Sequence, residues 1–132
     1  MHVEAVKQAA VEALEEIKAR DITVLDVRKI TSLFDYMIVA TAESARQAKA
    51  LARNVEEKLK EQGIRAQGLE GEKTGEWVLV DLGDVIVHVM QPAIRAYYNL
   101  EQLWGGRPPS PHPTTWRNAP GTEPPALSRP PG

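Results

Sequence analysis

The stretch from residue 77 to residue 90 constrains the fold of this chain most strongly. Two runs rich in Val, Ile, Leu and Trp flank Leu82, Gly83 and Asp84, which is the pattern of a β-hairpin. Gly83 supplies the positive φ that a tight turn requires. Side chains alternate between faces along a strand, and a two-residue loop, either Leu82-Gly83 or Gly83-Asp84, sorts them identically. The sequence therefore predicts a hairpin with two chemically distinct faces.

One predicted face is aliphatic throughout and is expected to lie in the core. It consists of Val78, Val80, Leu82, Val85, Val87 and Val89. The opposite face is mixed and consists of Trp77, Leu79, Asp81, Asp84, Ile86, His88 and Met90. A three-residue loop or a bulge would change this sorting. The mixed face has two interpretations, a surface that binds a partner or a second core under a helix.

Three helices and three further strands are predicted from the rest of the chain. Apolar residues at helical spacing predict helices over residues 2–20, 44–62 and 92–104. Ser44 and Gln47 have the spacing of a capping box, and Gly63 occupies a typical C′ position. Strands are expected over 22–30, 36–41 and 64–70. This order predicts an α/β (α+β) domain in which helices pack on a mixed five-stranded sheet.

The last predicted helix carries an apolar stripe made of Ala93, Ala96, Tyr97, Leu100, Leu103 and Trp104. Pro92 suits its first turn. Tyr98 lies beside this stripe, so we expect it either to be exposed or, more readily, to pack at the flank of the helix.

Composition divides the chain at about residue 105. Residues 1–105 form the predicted domain, and nine of the ten prolines fall in residues 106–132, which we expect to be an extended, disordered tail. The chain has no cysteine, which excludes disulfides and thiolate metal sites. No apolar run approaches the length of a membrane span and no signal peptide is recognisable, so a cytoplasmic protein without a membrane partner is expected.

The charged and titratable residues argue against catalysis and against direct nucleic-acid binding. The net charge is -2, and the tail is basic, so the domain is acidic and suits a basic protein partner rather than nucleic acid. His2, His88 and His112 lie in unrelated segments without metal-ligand spacing. Asp35 precedes its strand without a second carboxylate, and no phosphate-binding glycine loop is present. We therefore expect no cofactor, no metal and no enzymatic activity.

Several stretches together carry a family resemblance. They are Asp-Tyr-Met-Ile-Val-Ala-Thr at 35–41, Leu-Gly-Asp-Val-Ile-Val-His-Val-Met at 82–90 and Arg-Ala-Tyr-Tyr-Asn-Leu-Glu at 95–101, with shorter ones at 44–47, 54–59, 70–71, 76–81 and 103–105. Through them the chain resembles the ribosomal silencing factor family, also called the Iojap family. The string at 82–90 is the specific one, and the tail has no counterpart in the family pattern.

The resemblance implies a ribosome-binding protein that is not an enzyme. Proteins of this kind bind the fourteenth protein of the large ribosomal subunit near the subunit interface, block joining of the small subunit and repress translation when nutrients are short. They form homodimers, and some act in organelles as large-subunit assembly factors, which is the alternative function. Their sheet is similar to that of nucleotidyltransferases, but the paired carboxylates of such an enzyme are missing here, so that alternative is weaker.

The resemblance also favours partner binding at the mixed face. The candidate residues are Trp77, Leu79, Asp81, Ile86, His88, Met90 and Tyr98. Trp77 would serve as an anchor, since buried Trp side chains often dominate binding energy. For His88, a satisfied structural role is the stronger alternative, and for Asp81 turn chemistry competes equally with pairing to a basic partner.

Overall fold

The structure of the chain, a computed structural model, describes residues 2–104. In chain order its elements are α1 (Val3–Glu16), β1 (Arg20–Asp26), β2 (Tyr36–Thr41), α2 (Ala45–Glu61), β3 (Gly68–Glu70), β4 (Trp77–Asp81), β5 (Val85–Met90), α3 (Pro92–Tyr98) and α4 (Leu100–Trp104). The Pro-rich tail predicted for residues 106–132 lies outside the described residues.

The five strands form one mixed sheet in the order β1-β2-β5-β4-β3. β2 and β5 pair in parallel at its centre, and the three remaining pairings are antiparallel. Every residue of β2 and of β5 is buried, which fits the continuous apolar run that predicted a central strand. The predicted fold class, a mixed five-stranded sheet with helices packed on it, is confirmed.

The hairpin of β4 and β5 turns through Gly83-Asp84, one of the two loops that the sequence left open. The Leu82 N–H donates to the carbonyl of Val85 at 2.9 Å, and Gly83 has a φ of 91°. A two-residue loop with glycine at its first central position preserves the alternation of side chains on both strands. The predicted sorting of the hairpin into two faces is therefore correct.

The first face of the sheet packs against α1 and α2. All six residues of the predicted aliphatic face belong to this core, namely Val78, Val80, Leu82, Val85, Val87 and Val89. α1 adds Leu14 and three buried alanines, and α2 adds Leu51, Val55 and Leu59. The two longest helices of the described chain thus cover this face.

α2 begins and ends where its sequence signals place it. The Ser44 hydroxyl accepts from the Gln47 N–H at 3.0 Å, while the Gln47 side chain accepts from the Glu43 N–H at 2.7 Å rather than from that of Ser44. At the other end Gly63 has a φ of 85°, and the Ile64 N–H donates to Leu59. This is a Schellman ending with glycine at C′.

The predicted bounds of the first helix and of two strands are wrong. α1 ends at Glu16 because Lys18 takes a left-handed conformation with a φ of 61°, and the Ala19 N–H donates to Leu14 at 3.0 Å. This too is a Schellman ending, but with lysine at C′, where the sequence gives no glycine to signal it. β1 starts at residue 20 rather than 22, and it ends at 26 rather than 30. β3 is limited to 68–70 instead of 64–70.

The last predicted helix is two helices. Asn99, at φ 46° and ψ 60°, ends α3 in a left-handed conformation, and α4 begins at the next residue. Asparagine tolerates this conformation better than most residues. The break turns the chain, so the apolar stripe predicted for a continuous helix does not form.

Candidate functional site on the second face of the sheet

The hairpin brings six of the seven predicted site residues together on the second face of the sheet. They form three cross-strand pairs, Trp77 with Met90, Leu79 with His88 and Asp81 with Ile86. Tyr98, the seventh, reaches the same group from α3, with its ring 4.7 Å from that of Trp77. The sequence therefore identified a spatially continuous set of residues.

This set is a second core rather than an exposed surface. Trp77 is 1% exposed, His88 is 0% exposed and Tyr98 is 2% exposed. Leu79, Ile86 and Met90 are equally buried, and only Asp81 is partly exposed. The expectation of an accessible docking face is thus wrong for this structure, and the alternative in which Trp77 lies under the last helical segment is correct. Whether these residues bind a partner stays a prediction.

The burial arises because α3 and α4 return across the second face. They contribute Ile94, Tyr98, Leu100 and Trp104 to the core, which also contains Met37 and Val39 of β2. The ring of Trp104 lies 5.4 Å from that of Phe34. The predicted stripe is corrected accordingly: Ala93 and Ala96 are exposed, while Ile94 and Tyr98, four residues apart, form the buried side of α3.

Trp77 and His88 form a hydrogen-bonded pair inside this second core. The Trp77 Nε1–H donates to His88 Nδ1 at 3.0 Å, and the two rings lie 5.9 Å apart. Complete burial disfavours the charged imidazolium and lowers the pKa of His88 to about 3. The imidazole is therefore neutral near pH 7, and its Nδ1 acts as the acceptor. This agrees with the structural interpretation of His88.

Asp81 takes part in turn chemistry. Its carboxylate accepts from the Gly83 N–H at 2.8 Å and so holds the hairpin loop in place. The Asp84 side chain is exposed, and its backbone carbonyl accepts from the N–H groups of Asp35 and Tyr36 at 2.8 and 3.1 Å. The hairpin loop is thereby tied to the start of β2.

Arg95 is the residue beside this site that sequence reasoning missed, and its bonds hold the helical cover to the sheet. Its guanidinium donates to the Asp21 carbonyl at 2.6 Å, the Thr41 hydroxyl at 2.7 Å and the Thr23 hydroxyl at 3.1 Å. It also donates to the Glu101 carboxylate at 2.7 Å. A single guanidinium thus joins α3 to β1, β2 and α4. Its sheet partners lie 54–74 residues away in sequence, so no local pattern announces them.

Residues 2–104 contain no group of three or more His, Cys, Asp or Glu side chains arranged to hold a metal ion. Over the same residues, no helix is both long enough and apolar enough to cross a membrane. The groups on this side of the sheet are aromatic and aliphatic side chains, the buried imidazole of His88 and the guanidinium of Arg95.

Comparison with known proteins shows which family this chain is similar to. Residues 1–128 match the family described as "Ribosomal silencing factor during starvation". The chain is 58% identical over 110 residues to "Ribosomal silencing factor RsfS" of Chromobacterium violaceum, covering 83% of this chain and 90% of that protein. It is 40% identical over 108 residues to the Bacillus subtilis protein of the same name, covering 82% and 92%.

A solved structure agrees with the sequence comparison. The fold is similar to a crystal structure of a Chromobacterium violaceum protein, with a TM-score of 0.79 and 58% identity over 83% of this chain and 92% of the other. An identity of 58% over most of both chains shows more than a shared fold. The chain belongs to the family of ribosomal silencing factors.

Proposed function

We propose that this protein binds the large ribosomal subunit through that subunit's fourteenth protein and sterically blocks joining of the small subunit, in the cytoplasm and under nutrient limitation. Membership of the silencing factor family carries this proposal. No bond is made or broken in this mechanism, so the protein acts by occupancy and not as an enzyme. One bound copy disables one large subunit.

The proposed ribosome-facing side is the second face together with its cover, α3 and α4. Two observations support it. Two of the stretches that carry the family resemblance meet on this side: 95–104 lies in α3 and α4, and 76–90 contributes Trp77, Leu79, Ile86, His88 and Met90, whereas 44–47 and 54–59 belong to α2 over the other face. The same side holds Trp77, Tyr98 and Trp104, which are buried in this structure and would join an interface when α3 and α4 move off the sheet; aromatic side chains are enriched in the energetic centres of protein interfaces.

Subunit joining measured by light scattering tests the mechanism. Purified large subunits are mixed with increasing amounts of the protein, and small subunits are then added. Inhibition should rise in proportion to the protein and reach completion near one copy per large subunit. Inhibition by strongly substoichiometric protein would refute steric occupancy and favour catalysis, whereas binding to large-subunit precursors without any block of joining would favour an assembly factor.

A matched pair of surface variants tests the location. Ala93 lies on α3 over the second face and Ala50 lies on α2 over the first, and both are exposed. The same substitution at each, Ala93→Arg and Ala50→Arg, adds one positive charge without disturbing a core. If the partner is basic and docks on α3, Ala93→Arg should lower affinity for the purified fourteenth protein about tenfold while Ala50→Arg leaves it unchanged. Equal effects would refute the placement.

The proposal includes a homodimer in the free state, and the β1 edge is the surface that supports it. The exposed large hydrophobic residues of the described chain are Val24 at 39%, Ile30 at 36% and Leu33 at 67%, on β1 and the segment after it. β1 is also an edge strand with unpaired backbone groups on its outer side. Leu33→Glu should shift the protein toward monomer in analytical ultracentrifugation. An unchanged dimer would refute the β1 edge as its interface.

A further inference from the structure

The buried imidazole of His88 has a defined tautomer. Its Nδ1 accepts the hydrogen bond from Trp77, so that nitrogen carries no proton. A neutral imidazole has one ring proton, which must then lie on Nε2. The Trp77 indole therefore fixes His88 as a hydrogen-bond donor through Nε2–H.

That donor has no acceptor. Within residues 2–104, His88 Nε2 is the one buried side-chain nitrogen or oxygen atom without a hydrogen-bond partner. Its two neighbours in the sheet are apolar: Leu79 on β4 pairs with it from one side, and Val39 on β2 pairs with it from the other. Burying an unpaired N–H costs free energy, and an apolar side chain would fill the same space without that cost. The Nε2–H thus requires an explanation beyond core packing.

The cover above His88 is the weaker of the two helical layers. α1 and α2 have 14 and 17 residues, whereas α3 and α4 have seven and five. Helices this short are unstable on their own, and Gln91 provides no side-chain cap for α3. Local opening starts in the least stable part of a fold. The shortness of these helices thus favours opening of this layer over the other, and such an opening must also break the bonds of Arg95 to Asp21, Thr23 and Thr41.

We propose that His88 Nε2–H is a specificity-determining donor for a neutral oxygen acceptor, a backbone carbonyl or an amide, on a segment of the ribosomal partner that enters when α3 and α4 move off the second face. A neutral acceptor is favoured because a carboxylate would lose its hydration among apolar side chains. This inference rests on the proposed function and names the contact by which the partner is recognised.

Isothermal titration with the purified fourteenth protein of the large subunit tests the contact. His88→Leu removes the donor and leaves the partner's acceptor unpaired, so affinity should fall roughly tenfold to a hundredfold. His88→Gln should restore most of that loss, because its amide oxygen can accept from Trp77 while its NH₂ group donates to the partner. Val87→Ala on the first face is the control, expected to lower stability without changing the affinity of the folded protein.

The outcomes are separable. Failure of the unchanged protein to bind refutes the proposed function, and the contact with it. Binding by the unchanged protein together with His88→Leu affinity within about threefold refutes the contact alone. If circular dichroism shows His88→Leu to be unfolded, Trp77→Phe combined with His88→Leu removes the whole polar pair and takes its place, and its affinity is compared with that of Trp77→Phe alone, because Trp77 is itself a candidate anchor. Amide hydrogen exchange in α3 and α4 as slow as in α2 would refute the opening.

Discussion

Replacing Arg95 with methionine should destabilise the fold more than any other single arginine change in the described chain. Methionine keeps the unbranched stem and its contacts but lacks the guanidinium that joins α3 to β1 and β2. The substitution leaves four acceptors without their donor: the Thr23 and Thr41 hydroxyls, the Asp21 carbonyl and the Glu101 carboxylate. Each of these groups then loses a charge-assisted hydrogen bond.

The expected cost is about 2–3 kcal/mol. A hydrogen bond to a charged group contributes about 1.5–3 kcal/mol, but bonds that share one guanidinium do not add. The Arg95 and Glu101 side chains are 14% and 27% exposed, so the ion pair between them is partly screened and water can solvate what remains. The stability of Arg95→Lys should lie between those of the unchanged protein and Arg95→Met, because lysine keeps the positive charge but lacks the forked guanidinium.

Urea unfolding followed by circular dichroism measures this cost. The matched control is Arg20→Met, which breaks an ion pair with Glu43 whose side chains are 63% and 49% exposed and should cost about 0–1 kcal/mol. Equal slopes of the unfolding curves would show that the comparison concerns stability and not the denatured state. If Arg95→Met costs no more than Arg20→Met, Arg95 does not hold α3 to the sheet.

Three further predictions follow from the backbone and from His88. Lys18→Gly should raise the free energy of unfolding by about 0.5–1 kcal/mol, because glycine adopts the left-handed C′ conformation without strain; a loss on urea titration would contradict this. Gly71→Ala should lower the free energy of unfolding by more than about 2 kcal/mol, and clearly by more than Gly63→Ala does. Both glycines have a positive φ. The new Cβ would lie 1.9 Å from the Trp77 carbonyl oxygen at position 71, whereas at position 63 it would meet nothing within 4 Å. Similar melting temperatures for the two variants would show that the backbone around Gly71 shifts to accommodate the new Cβ. Stability should fall as pH drops from 6.5 to 5, because unfolded His88 binds a proton near its ordinary pKa of 6.5 while the folded residue, with its pKa lowered to about 3, does not. The slope should be on the order of 1 kcal/mol per pH unit and should flatten in His88→Gln, and an identical slope in that variant would assign the effect to other groups.

Local patterns in the sequence determined the hairpin, the facial sorting of its residues and both ends of α2. Alternation in a strand has a period of two, so a two-residue loop fixes which side chains share a face regardless of what lies above them. Ser44 and Gly63 act on backbone groups within a few residues of themselves. The left-handed Lys18 and Asn99 escaped prediction because neither residue type requires that conformation as glycine does.

Only the tertiary structure decided whether the mixed face is covered. Trp77, His88 and Met90 suit a buried interface and a domain core equally well, since both remove apolar area from water. The choice depends on where the chain goes after β5. The left-handed turn at Asn99 redirects it, and Arg95 fixes its course by bonds to residues 54–74 positions away. Such long-range bonds leave no periodic trace in the sequence, because the polar groups that accept them, two threonines and one backbone carbonyl, are ordinary components of any strand.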